Sequence, residues 1–152
     1  MRRRIVGGVV GLVIAGVSVS VWAHEDMDSL PAGPIRDRHE LMEGIGKNAK
    51  AIGEAIKKGD SKAVAASATN IQTDATKILP LFPEGSTNPK SRAKPEIWKN
   101  WAKFKADSQK LETTAGALAA AAQSGGDVKA GSQAMFGACK SCHDDFREPD
   151  DD

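Results

Sequence analysis

Apolar residues recur along the chain at alternating spacings of three and four, the rhythm of helices that each bury one face. The first such run goes from about Ile35 to Lys57, with an inward stripe of Ile35, Arg38, Met42, Ile45, Ala49, Ile52 and Ile56. Arg38 is a charge where an apolar residue is expected, and Met42 is a thioether at mid-stripe. Gly59-Asp60-Ser61 stops this helix and caps a second, from about Ser61 to Leu79, striped by Val64, Ala68, Ile71, Ala75 and Ile78 and ended by Pro80. Leu81 to Lys94 is the longest loop, marked by Pro83, Gly85, Asn88 and Pro89, and Leu81 and Phe82 are expected to tuck against the helices. Pro95 and Glu96 open a third helix reaching about Gln123, striped by Ile97, Trp101, Phe104, Ser108, Leu111, Ala115, Leu118 and Ala122. After the turn Ser124-Gly125-Gly126-Asp127, a fourth runs from about Val128 to Arg147. Four amphipathic helices with short first and last connections predict an all-α fold, an antiparallel four-helix bundle.

Composition supports this and narrows the function. Alanine is abundant, tyrosine is absent and aromatic residues make up 5%, which suits helices better than sheets. A length of 152 residues fits one domain. The formal net charge of +1 gives no reason to expect nucleic acid or a strongly charged substrate.

The N-terminus stands apart. Arg2-Arg3-Arg4 precede an apolar run from Ile5 to Ala23, and Val21-Trp22-Ala23 offers the small or apolar residues a signal peptidase reads. Residues 1–23 are therefore expected to be a cleaved signal peptide, leaving residues 24–152 as the bundle domain. The rival reading is an uncleaved anchor, since the run approaches the ~20 residues a spanning helix needs. Either way the folded part is exported.

The chemistry concentrates in Cys139-Lys140-Ser141-Cys142-His143 on the fourth helix, which holds the only two cysteines. Cys-x-x-Cys-His is the pattern of a c-type haem attachment. Residues three and four apart share a helix face, so both thiols reach one porphyrin edge as thioethers, and His143 is placed to bind the iron. Other readings compete. A thioredoxin-type motif usually opens a helix after a strand, and none is visible here. A zinc site would need two more ligands, and His24 and His39 lie far upstream. A plain disulfide would leave His143 unexplained. Gly131, Ala134, Gly137 and Ala138 are small where neighbouring helices have Ile or Leu, which leaves room for a flat macrocycle or simply allows close packing. The motif suits the outer face of a bacterial membrane, so the expected location is the periplasm.

A four-helix bundle with this motif in its last helix resembles the class II c-type cytochromes, the cytochrome c prime superfamily. The resemblance covers the mature chain, including Arg38 to Met42, Lys94-Pro95-Glu96-Ile97-Trp98 and Cys139 to Arg147. It implies one covalent haem c, with iron, and a homodimer through the first two helices. It also implies that the residue four after Arg38, here Met42, faces the open side of the iron. Members with an apolar residue there are five-coordinate and bind nitric oxide or carbon monoxide. Those with methionine are similar to six-coordinate, low-spin electron carriers.

Residue chemistry alone leaves Met42 open, since a seam methionine is usually core filler, but a soft thioether is also a common sixth ligand. His39, Met135 and Met27 are weaker alternatives. Arg38 needs a partner because an unpaired buried charge is costly, and the resemblance implies a haem propionate. Arg147 either plays a similar part at the ring edge or complements the helix dipole. The expectation is a non-enzymatic one-electron carrier between redox partner proteins, with His143 and Met42 as axial ligands. The alternatives are a gas-binding protein and a thiol-disulfide oxidoreductase using free Cys139 and Cys142.

Overall fold

The computed structural model describes residues 32–149, so the expected signal peptide, His24 and Met27 lie outside the described residues. Helix α1 spans Pro34–Lys58, α2 Ser61–Ala75, α3 Glu96–Lys99, α4 Trp101–Ser124 and α5 Val128–Phe146. A short 3-10 turn, Leu79–Leu81, follows α2. Helices α1, α2, α4 and α5 form the four-helix bundle, and no strand occurs among the described residues. None of the described helices is long and apolar enough to cross a membrane.

Two similar connections set the antiparallel pairing. Gly59 takes a left-handed conformation (φ 70°) after α1, and the Asp60 side chain then accepts from the Ala63 N–H at 2.9 Å to cap α2. Gly125 (φ 73°) and Asp127 repeat this between α4 and α5, with the Ala130 N–H donating to Asp127 at 2.9 Å. Each connection is too short for anything but a hairpin of helices.

The stripes meet as expected. Ile45, Ile52, Val64, Ala68, Ile71, Phe104, Ala115 and Leu118 are all buried in one core. Removing each large aliphatic side chain from water contributes about 1.5–3 kcal/mol.

Three details depart from the pattern. Helix α2 ends at Ala75, short of Leu79, because Pro80 has no N–H to give the Thr76 carbonyl and its ring crowds that turn. The third predicted helix is broken at Asn100 (φ −119°, ψ 43°) into α3 and α4, and Trp101 thereby turns outward to 38% exposure instead of joining the core. The last helix stops at Phe146, and Arg147 is extended, forming an antiparallel bridge with Ala93. That bridge ties the long loop to the end of α5, with Lys94 N–H donating to Phe146 O at 3.0 Å and Glu148 N–H to Arg92 O at 2.8 Å.

Helices α1 and α5 touch least among neighbouring bundle helices. That seam is where the fold leaves space.

Candidate functional site

A cavity of about 210 Å³ opens along the α1/α5 seam. Helix α1 contributes Met42, Ile45, Gly46 and Ala49, α4 contributes Phe104, Asp107, Ser108 and Leu111, and α5 contributes Phe136, Ala138, Cys139, Cys142 and His143. The walls are therefore mostly apolar, and both free cysteines, the adjacent histidine and the mid-stripe methionine converge on one space.

The spacing does this. Cys139 and Cys142 lie three apart on α5, on the face that also buries Met135, Ala138 and Phe146. Both are half-buried. Burial raises the pKa of Cys139, and burial followed by the negative charge of Asp107 pushes Cys142 up to about 12. Both thiols are thus held protonated, the opposite of the activated thiolate a thiol-disulfide enzyme needs. His143 reaches solvent while lining the cavity. The part of its ring that is desolvated, and then the charge of Arg147, hold the imidazole below its usual pKa. A neutral ring at pH 7 keeps a nitrogen lone pair for a metal.

The donor set, two thiols on one face with an imidazole beside them and a thioether across an apolar cavity, fits a covalently held haem. It does not resemble a bare metal site, and no three His, Cys, Asp or Glu side chains among the described residues are arranged to hold a metal ion.

Arg38 is 4% exposed, one turn before Met42. Its guanidinium donates to Ser86 Oγ at 3.0 Å, Ser86 O at 2.9 Å and Ser91 Oγ at 2.7 Å, and lies 4.8 Å from the centre of the Phe82 ring. Its need for hydrogen-bond partners is thus met by the long loop rather than by an acid. These partners are neutral, and burial lowers the pKa of the guanidinium. Arg147 does not line the cavity; it is half-buried and its N–H caps α5 on His143 O at 3.0 Å.

The remaining candidates separate. Met135 is fully buried in the core and does not line the cavity, nor does the half-buried His39. Of the four small residues on α5, only Ala138 lines the cavity. Gly131 instead admits α4, since a Cβ there would lie 3.1 Å from Leu118 Cδ1, while Ala134 and Gly137 are exposed. The expectation that all four make room for a macrocycle therefore fails, because helix rotation points three of them elsewhere.

Sequence reasoning missed Asp107, a carboxylate in the cavity wall. Its signal was present: it lies three after Phe104 and four before Leu111, at the edge of the α4 stripe.

Comparison with known proteins agrees with this geometry. Residues 33–147 match the family model described as Cytochrome C'. The chain is 34% identical to a cytochrome c' of Rhodopseudomonas palustris over 97% of each chain. It is 37% identical to a cytochrome c-556 of Agrobacterium tumefaciens, over 76% of this chain and 98% of that one. The structure of cytochrome c' from Thermochromatium tepidum superposes with a TM-score of 0.71 at 28% identity, covering 78% of this chain and all of the other. The chain belongs to the cytochrome c' family, whose members bind haem c covalently, and it carries the two cysteines that such attachment needs.

Proposed function

We propose that this chain is an exported monohaem c-type cytochrome of the bacterial periplasm, in which Cys139 and Cys142 would hold the haem as thioethers, His143 would ligate its iron and Met42 would set access to the remaining coordination position. Residues 1–23 serve as the cleaved signal in this reading. The observation that carries it is the convergence of Cys139, Cys142, His143 and Met42 on one apolar cavity. Bound haem supplies a one-electron iron couple and a coordination position that a sixth ligand can take.

The chain's own residues do the rest. Ile45, Ala49, Phe104 and Leu111 give the cavity an apolar wall. The buried guanidinium of Arg38, whose hydrogen-bond partners among the described residues are neutral, suits a propionate. Arg147, at the end of α5, stands near His143 and lowers its pKa, which favours the neutral ligand form.

The comparisons favour an iron that is five-coordinate and accepts nitric oxide or carbon monoxide, because the family model, the Rhodopseudomonas relative and the Thermochromatium structure are all cytochrome c'. In this reading Met42 walls the open face and small ligands pass it. A second reading has a specific observation behind it: Met42 lines the cavity that also receives His143, and a thioether there makes a six-coordinate, low-spin carrier of single electrons. The relative named cytochrome c-556 matches at a similar identity and leaves room for this branch.

Transient docking of redox partner proteins, and a homodimer through α1 and α2, belong to the same proposal. Expression with a cytochrome maturation system tests its foundation. The purified protein should carry the mass of one haem that survives denaturation, and a colourless product would remove both readings.

A further inference from the structure

We infer that Asp107, pinned by Lys103, is a fixed negative charge in the wall of the haem cavity that biases the iron toward its oxidised form. The inference rests on the haem reading above and extends it by assigning the redox poise to a residue outside the attachment motif.

Asp107 lies on α4 with its side chain only 12% exposed, and it lines the cavity together with Cys142 and His143. Its Oδ2 accepts from Lys103 Nζ at 2.8 Å. The same ammonium lies 2.6 Å from Asp145 Oδ2 on α5 and 5.4 Å from the centre of the Phe146 ring. Lys103 therefore crosses from α4 to the haem-bearing helix beside the attachment motif. Two carboxylates share one ammonium, so the cluster keeps an excess negative charge.

The placement of the charges matters more than their sum. The Lys103 side chain is 51% exposed and screened by solvent, whereas Asp107 is mostly withdrawn from water. The carboxylate acts inward through a poorly screening apolar wall that it shares with Cys142 and His143.

The Lys103 bridge to Asp145 ties α4 to α5, but that tie does not require Asp107 to face the cavity. A lysine–aspartate pair four apart on a helix contributes little when it is partly exposed, and turning a carboxylate toward an apolar cavity costs desolvation. The oxidised haem iron carries one more positive charge than the reduced form. A fixed anion nearby lowers the oxidised form more, and so lowers the reduction potential.

The test uses the haem-loaded, full-length product in a spectroelectrochemical titration at pH 7, with covalent haem first verified by intact mass. A wild type lacking haem would overturn the haem reading itself. With haem present, Asp107→Asn should raise the midpoint potential. At the wild-type midpoint its ferrous-to-ferric ratio should climb roughly threefold or more. Lys103→Gln, which frees the two carboxylates, should move the potential the opposite way, and Asp107→Glu should stay close to wild type. A loosened fold would push the first two variants in the same direction, so equal or absent shifts overturn the inference. Should Asp107→Asn fail to accumulate, Lys103→Gln decides alone: a potential that stays or rises refutes the assignment.

Discussion

Met42 of α1 and His143 of α5 line the same cavity, although they come from opposite ends of the described chain. The two helices bearing them touch each other least among neighbouring helices of the bundle, so the seam between them can admit a cofactor without dismantling the core. The core itself is carried by α2 and α4 with their neighbours.

Leu118 is fully buried in α4 and packs against Gly131 of α5. Leu118→Ala should cost about 2–5 kcal/mol of stability, read as a lower denaturant midpoint. Because Leu118 does not line the cavity, the variant's haem spectrum should match wild type.

Arg38 ties the loop containing Ser86 and Ser91 to α1 through the three hydrogen bonds described above. Arg38→Ala should lower stability by about 1–3 kcal/mol, since charge-assisted hydrogen bonds are lost while some desolvation cost is relieved. Limited proteolysis should find new cleavage between Phe82 and Ala93. An unchanged digestion pattern would show that the loop is held by other contacts.

The chain made without haem has a Cys142 thiol held near pKa 12, mainly by burial and then by Asp107. Alkylation of the folded, haem-free chain by iodoacetamide at pH 8 should therefore be much slower than in urea. A folded-state value above the unfolded one adds stability that is fully present below the unfolded pKa and is lost as pH rises toward the folded value. The haem-free chain should accordingly lose stability as pH rises from about 9 toward 12. Rapid alkylation at pH 8 would instead favour the thiol-disulfide rival.

The bundle was legible because its helices bury single stripes. Val64, Ala68, Ile71, Ala75 and Ile78 are all buried at the counted spacing. Trp101 was misplaced because a stripe assumes an unbroken helix, and periodicity does not register the non-helical turn at Asn100. The neutral partners of Arg38 were hidden for a different reason: Ser86 and Ser91 sit in a loop whose path is set by the Ala93–Arg147 bridge, a contact between distant parts of the chain. Motif and stripe single out Cys139, Cys142 and Met42, and all three line the same cavity. They do not single out Asp107, because a lysine and an aspartate four apart read as an ordinary solvated pair.

In the proposed site, Met42 would stand on the side of the iron that His143 does not take. Carbon monoxide titration of the dithionite-reduced, haem-loaded protein tests this placement most directly, with wild type compared against Met42→Ala. The variant should bind the gas at least about tenfold more tightly, whether Met42 in the wild type is a ligand or a wall. The wild-type spectrum then tells which, since bands that shift with the gas mark an open iron and sharp bands that ignore it mark methionine ligation. Equal affinities in the two proteins would place Met42 away from the iron and contradict this placement.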